Sequence, residues 1–146
     1  MRIALEVERT LDLEALRAHR RLSLYRLWAR VRFRQPTGWS EPHPAIVDTG
    51  APYSLIPLSL WSTLRLERLV ELPMRGIVPG AQAEIHGTLA KASGQVLDAR
   101  RLSPPLILGA MLAKTDDVPL ILGWSGLLDR ARLVLDAPRH VASLAF

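Results

Sequence analysis

The sequence predicts an all-β protein that forms a single domain. Tyr25 to Arg34 alternates apolar residues with a face that is mostly arginine, which is typical of an antiparallel strand lying on a core. Short apolar runs bounded by proline and glycine recur along the rest of the chain. A length of 146 residues suits one domain with a moderate core and is too short for two substantial domains.

Composition and charge exclude several classes of function. The chain has no cysteine, and its four histidines lack ligand spacing, so we expect no metal site, and the resemblance described below implies no organic cofactor. The formal net charge of +5 comes mainly from arginines spread along the chain without a nucleic-acid motif, so no nucleic-acid partner is expected. Without an apolar run of membrane-spanning length, we expect a cytoplasmic protein and no membrane partner.

The N-terminal third predicts two strands and a connection. Met1 to Glu8 alternates and predicts a half-buried strand. Thr10 to Arg21 fits a short helix, capped by Asp12 or Thr10, or an irregular connection. After the strand at Tyr25 to Arg34, the proline-rich segment Gln35 to Pro44 predicts a loop.

The segment Ala45 to Ala51 is the candidate functional motif. A short apolar run rich in β-branched residues ends abruptly in Asp48-Thr49-Gly50, as in a buried strand that delivers a carboxylate into a tight turn. Glycine allows a tight turn and a close approach of ligand to backbone, and the threonine hydroxyl can hold the turn by a hydrogen bond. Because Asp, Thr and Gly are also ordinary turn residues, the triplet alone carries little weight.

A second apolar run supports the functional interpretation. Val118 to Gly123 leads into the segment Trp124 to Asp129, which predicts a short helical turn. The pentapeptide Pro-Leu-Ile-Leu-Gly occurs twice, at Pro105 to Gly109 and at Pro119 to Gly123. The second copy is the one that a helical turn and then Arg132 to Asp136 follow, and the family resemblance described next implies that it pairs with the Asp48 strand.

These two motifs resemble those of the retropepsin-like aspartic proteases, in particular their small prokaryotic members. The matching residues are Val47 to Ala51 and Leu120 to Gly123, and the resemblance covers roughly Pro44 to Asp136. It implies one domain over residues 1–146, with N-terminal strands in residues 1–35 and a protease core in residues 36–146. It also implies a closed or partly open β-barrel with one or two short helices. Pro52 stands where many retroviral members carry a polar residue.

The chemistry of that family requires two copies of this chain. Hydrolysis needs one carboxylate as base on a water and a second as acid, and this chain contains one Asp-Thr-Gly. The second Asp48 must then come from another copy across a two-fold axis, so the resemblance implies a homodimer acting on a peptide or protein substrate. Thr49 and Gly50 would support the active site.

The resemblance also implies substrate-binding residues around the cleft. Ala51 and Pro52 would line its wall, and a flap between Glu67 and Gly87 would close over the peptide. The predicted flap tip comprises Ile77, Val78, Pro79, Gly80 and Ala81. An ordinary Pro-Gly turn between two strands fits the same residues.

The remaining segments are predicted to form structural parts of the domain around this motif. Pro57 to Leu64 predicts a short helix with proline first and Trp61 anchored in the core. Thr88 to Asp98 and Leu102 to Ala113 predict further strands, and Asp116-Asp117 predicts a solvated turn. The tail from His140 to Phe146 suits either the interleaved dimer interface of the family or a strand paired within its own subunit.

Three functions are therefore open at this stage. The first is a homodimeric aspartic endopeptidase that activates a water between two Asp48 carboxylates. The second is a dimeric peptide-binding or regulatory domain of the same fold that does not catalyse. The third is a monomeric β-domain in which Asp48 merely caps a turn and tolerates replacement by alanine.

Overall fold

A computed structural model describes residues 1–74 and 85–146, and strands dominate both stretches. The predicted all-β class is confirmed. The strands are β1 Arg2–Leu11, β2 Ser23–Gln35, β3 Gly38–Trp39, β4 His43–Val47, β5 Ser54–Ile56, β6 Leu66–Met74, β7 Ile85–Leu97, β8 Leu106–Leu112, β9 Ile121–Leu122, β10 Arg132–Asp136 and β11 Val141–Ala145. The helical segments are α1 Leu13–Arg17, α2 Leu58–Trp61 and a kinked turn at Trp124–Leu128, named here the Trp124 turn.

Strands from the middle of the chain close into a hydrogen-bonded ring. Its order is β2, β4, β9, β5, β8, β7 and back to β2. The β4–β9 and β5–β8 pairs are parallel, and the other pairs of the ring are antiparallel. Because β4 and β9 run in the same direction, the segments that follow Val47 and Leu122 leave the ring side by side.

The long strand β2 holds this arrangement together. Its first half pairs with β1, its middle with β4 and its last part with β7 and β3. The predicted alternation is confirmed for Ala29, Val31 and Phe33, which are 2% exposed or less. Tyr25, expected on the same face, is 47% exposed, because this end of β2 pairs with β1 beyond the closed ring.

One apolar core joins the ring to the strands at the chain ends. Phe33, Leu122 and Leu144 are fully buried within it, although they come from three different strands, β2, β9 and β11. Full burial of such a side chain stabilises a protein by about 1.5–3 kcal/mol relative to exposure. The core therefore fixes the strand that carries the candidate motif.

Both chain ends pair within one subunit. The strand β11 lies between β1 and β10 and is antiparallel to both. The Met1 ammonium donates to the Phe146 carbonyl at 2.8 Å, and the Phe146 N–H donates to the Met1 carbonyl at 2.8 Å. Of the two alternatives for the tail, the structure shows pairing within its own subunit on both sides of β11.

The carboxylate of Asp98 attaches the end of β7 to β1. Its Oδ2 accepts the Ala4 N–H at 3.0 Å, and its Oδ1 accepts the N–H groups of Arg100 and Arg101 at 2.8 Å. The bond from Ala4, followed by the other backbone donors and the Arg101 charge, holds the pKa of Asp98 below its usual value. Asp98 therefore serves as a structural acid.

The segments that connect the strands confirm one prediction from the sequence and correct two others. The side chain of Asp12 caps α1, as predicted, by accepting the N–H groups of Glu14 and Ala15. The predicted loop at Gln35 to Pro44 contains β3, because a tight turn folds Gly38 and Trp39 back onto β2. Pro57 precedes α2 rather than starting it, because its backbone is extended.

The predicted core anchor and the predicted polar turn lie next to each other in the fold. Trp61 packs partly buried against the core and donates its indole N–H to the Ala113 carbonyl at 2.6 Å. Asp116 accepts the Ser59 N–H at 2.7 Å from an exposed turn. None of the helices in the described residues is long and apolar enough to span a bilayer.

Candidate active site

The carboxylate of Asp48 is held at the end of β4. Its backbone N–H donates to the Leu122 carbonyl at 3.0 Å, which continues the parallel β4–β9 ladder by one residue. Its Oδ1 accepts the Gly50 N–H at 2.8 Å, and the Ala51 N–H donates back to the Asp48 carbonyl at 3.3 Å. These bonds fix the orientation of Asp48. The residue is only partly buried, so part of it remains open to solvent.

Within residues 1–74 and 85–146, one oxygen of the Asp48 carboxylate is left available for chemistry. Among the residues that the structure describes, no hydrogen-bond donor reaches Oδ2 of Asp48. An ionised carboxylate accepts several hydrogen bonds, so the second oxygen can bind a water or share a proton with another acid. The arrangement can therefore present a fixed acid or base to a ligand.

The second Pro-Leu-Ile-Leu-Gly copy lies beside Asp48, as expected. Ile121 and Leu122 pair with Ile46 and Val47. A Cβ atom on Gly123 would lie 2.5 Å from both the Ala51 and Tyr53 carbonyl oxygens. No side chain fits between these main-chain atoms, so glycine is required where the two loops cross.

The Trp124 turn fastens the two loops together. The indole N–H of Trp124 donates to the Thr49 carbonyl at 2.6 Å, and its backbone N–H donates to the Ala51 carbonyl at 2.9 Å. The Ser125 N–H donates to the Pro52 carbonyl at 3.0 Å. These bonds run along the whole Asp48 loop and hold it against the end of β9.

The residues predicted to support the site, Thr49 and Gly50, and those predicted to line its wall, Ala51 and Pro52, make hydrogen bonds mainly through backbone atoms. Thr49 and Gly50 are exposed, and in the described part of the chain the Thr49 hydroxyl has no bonded partner. Ala51 is partly buried and Pro52 is exposed, and their carbonyls accept from the Trp124 turn. The predicted flap residues Ile77, Val78, Pro79, Gly80 and Ala81 lie outside the described residues.

Sequence reasoning missed two supporting side chains. Ser54 is fully buried, and its hydroxyl accepts the Gly123 N–H at 3.2 Å. Trp124 is 46% exposed and bonds to the loop of Asp48 through its indole. The signal for Trp124 was its position directly after the glycine of the second motif, whereas nothing near Ser54 in the sequence indicated burial.

The first Pro-Leu-Ile-Leu-Gly copy supports the same site from behind. Gly109 leaves room for the Ser125 side chain, which fills the place where its own Cβ would stand. Gly126 has a φ of 84°, and a Cβ there would collide with the Ile107 carbonyl. The Trp124 turn therefore lies between the first copy and the Asp48 loop.

Other concave surfaces lie apart from Asp48. A cavity of about 620 Å³ is lined by parts of β1 and β2, by Pro44 and by Leu97 to Ala99, and it contains none of the predicted site residues. Within residues 1–74 and 85–146, no cluster of three or more His, Cys, Asp or Glu side chains could hold a metal ion. Asp48 and its loop are thus the candidate site that the motif and the geometry both indicate.

No protein-family model matches the chain, and no curated protein matches it with significant similarity. The resemblance to the retropepsin-like family therefore continues to rest on the motifs, and the function is a proposal from the geometry.

Proposed function

We propose that the chain is a retropepsin-like aspartic endopeptidase that acts as a homodimer. The observation that carries this proposal is the fixed Asp48 carboxylate, whose Oδ1 accepts the Gly50 N–H while Oδ2 faces no described donor. Rigid placement of a reacting group by backbone contacts is what catalysis by orientation requires. The closed ring of strands and the paired β4 and β9 ends are compatible with the proposed fold.

The mechanism uses two copies of one acid. Because like charges a few ångströms apart repel, two Asp48 carboxylates at a two-fold axis retain one proton between them. The ionised carboxylate removes a proton from a water as that water attacks the peptide carbonyl, and the protonated one donates to the carbonyl oxygen. Collapse of the tetrahedral intermediate then breaks the C–N bond and transfers a proton to the leaving nitrogen.

The substrate class is proposed from exposed aromatic side chains near Asp48. The Trp124 ring and Tyr53, which are 46% and 36% exposed, lie on loops next to Asp48. Aromatic surfaces beside a carboxylate suit a polypeptide with apolar side chains around the cleaved bond. Unfolded polypeptides are the proposed substrates because their backbone can enter a cleft in an extended form.

The direct test is cleavage of an unfolded polypeptide by the purified chain from acidic to neutral pH. Asp48→Asn keeps an oxygen that accepts the Gly50 N–H but cannot act as base, so activity should fall by about a hundredfold or more. Asp117→Asn is the matched control, because Asp117 lies in an exposed turn and should retain full activity.

Two results would reject the proposal. Equal activity of the Asp48→Asn variant and the parent chain would show that another group performs the hydrolysis. Binding of peptides without turnover over the whole pH range would favour the non-catalytic peptide-binding domain instead.

A further inference from the structure

The sheet has two ends, and they differ in how they are protected. At one end β6 carries Pro73 and a bulge between Arg68 and Val70, both of which obstruct pairing with another strand. At the other end β10 pairs with β11 alone in the described part of the chain. Its five residues contain no proline, and its pairing with β11 has no bulge.

The sequence of β10 is complementary to itself. If two copies pair antiparallel about Val134, Arg132 lies opposite the partner's Asp136, and Leu133 lies opposite the partner's Leu135. Residues directly opposite in an antiparallel pair have Cβ atoms about 4.5–5.5 Å apart and project from the same face. A two-fold axis repeats each contact, so the charge pair and the leucine pair both occur twice.

The exposure of these side chains fits such a contact. Arg132 is exposed and Leu135 is 50% exposed, whereas Leu133 lies partly buried against the core. The partner's Leu133 would cover Leu135 in the paired strand. Asp136 has two local contacts, both with the exposed Arg139: its Oδ1 accepts the Arg139 N–H at 3.2 Å, and its Oδ2 forms a 3.6 Å ion pair with the Arg139 side chain. Exposed ion pairs of this kind contribute little to stability, so this one does not oppose pairing with Arg132.

The position of β10 connects this edge to the candidate site. The strand begins at Arg132, shortly after the Trp124 turn ends at Leu128. That turn holds the Asp48 loop through the bond from Trp124 to Thr49. A second copy that pairs with β10 would therefore contact the strand that directly follows the support of the Asp48 loop.

We propose that two copies of the chain associate through antiparallel pairing of their β10 strands. The three strands β1, β11 and β10 of each copy then form one continuous sheet across the two-fold axis. This inference rests on the proposed function in one respect, because that function requires a homodimer. It also accounts for the tail, since β11 supports the interface strand from within its own subunit.

Charge reversal provides the test, with sedimentation velocity at low salt as the measurement. Arg132→Asp places acids opposite each other, and Asp136→Arg places bases opposite each other. Each variant alone should raise the dimer dissociation constant about tenfold or more, because two symmetric contacts become repulsive. The Arg132→Asp/Asp136→Arg double variant restores both pairs and should dimerise like the parent chain.

An equimolar mixture of the two single variants is the sharper experiment. In a heterodimer every acid again faces a base, so the mixture should dimerise more tightly than either variant alone. Arg20→Asp and Asp117→Arg make the same charge changes at exposed positions outside β10 and should leave dimerisation unchanged. Thermal unfolding of each variant verifies that its fold is intact.

The outcomes separate this interface from the proposed function. Unchanged dimerisation of Arg132→Asp, or failure of the mixture to dimerise, overturns the β10 interface and leaves the protease proposal standing. A charge-dependent dimer that cleaves no polypeptide supports the interface and rejects the protease. A chain that is monomeric at all concentrations overturns both.

Discussion

Asp48 and Asp98 occupy similar places in the fold and are used in opposite ways. Each follows the end of a strand, and each accepts the N–H of the residue two positions later, Gly50 or Arg100, at 2.8 Å. Asp98 also accepts the N–H groups of Arg101 and Ala4, so both of its carboxylate oxygens accept hydrogen bonds from the backbone. Among the described residues, the carboxylate of Asp48 accepts one hydrogen bond, from the Gly50 N–H.

The difference separates a structural acid from an acid that can react. A carboxylate whose oxygens both accept backbone donors is stabilised in its ionised form and has little capacity left for a ligand. A carboxylate fixed through one oxygen keeps its orientation and presents the other oxygen to solvent. Four substitutions or conditions, in order of decreasing effect, test whether this distinction is correct.

The largest effect is expected from Gly123→Ala, which disturbs the support of Asp48. The new Cβ would stand 2.5 Å from the Ala51 and Tyr53 carbonyl oxygens, and backbone cannot move aside cheaply. We expect a loss of about 3–5 kcal/mol in the free energy of unfolding, measured in urea, together with loss of cleavage.

The matched control is Gly109→Ala in the first pentapeptide copy. There the new Cβ meets the Ser125 side chain, which can shift, so the loss should be about 1–3 kcal/mol. Combining it with Ser125→Gly should recover part of that loss. Equal losses of stability for the two glycine variants would contradict the claim that main-chain crowding makes Gly123 harder to replace than Gly109.

The next effect is a contrast between identical substitutions at the two acids. Asp48→Asn keeps Oδ1 for the Gly50 N–H and should leave the thermal midpoint nearly unchanged while activity is lost. Asp98→Asn replaces an oxygen that accepts from Ala4 with a group that cannot accept, so the midpoint should fall. Thermal scans of both variants, with cleavage assays, make the comparison. The reverse pattern would contradict the assignment of roles.

A smaller effect is expected from Trp124→Phe. The substitution removes the 2.6 Å bond from the indole N–H to the Thr49 carbonyl and keeps an aromatic ring. The free energy of unfolding should fall by about 1 kcal/mol, with a clear loss of cleavage because the Asp48 loop is less constrained. Trp39→Phe, at a tryptophan that contacts Arg32 and Arg34, is the control and should not change cleavage.

The smallest effect is a pH dependence specific to Asp98. Because the pKa of Asp98 is lowered by folding, its contribution to stability is complete above the unfolded pKa and disappears as the pH falls through the folded pKa. The difference in thermal midpoint between the parent chain and Asp98→Asn should therefore be constant near neutral pH and shrink below about pH 4. If this difference in thermal midpoint grew as the pH falls, the assigned role of Asp98 would be contradicted.

Local patterns predicted the parts of the fold that depend on local sequence. The alternation in β2, the capping of α1 by Asp12 and the strand end at Asp48 are all local properties, and the structure contains each of them. The pairing of Leu122 with Val47 was expected for the second pentapeptide copy, the one that a helical turn follows. The first three features need no knowledge of distant neighbours, whereas the expected pairing of Leu122 with Val47 came from the family resemblance.

The missing features depend on contacts between distant segments. The two pentapeptides have identical sequences, yet Ile107 is 55% exposed while Ile121 is partly buried between β4 and β5. The burial of Ser54 and the role of Trp124 arise from loops that meet about 70 residues apart in the chain. For the same reason the pairing of β11 with β1 and β10 could not be chosen over an interleaved tail.

The central claim is that each active site contains one Asp48 from each of two chains. Subunit mixing tests this claim most directly. The parent chain and the Asp48→Asn variant are co-expressed in varied proportions, and cleavage per total protein is measured. If each active site needs two aspartates, activity should follow the square of the parent fraction and fall to about a quarter at equal amounts. A linear dependence, with about half the activity remaining, would mean that a single chain suffices and would contradict the account.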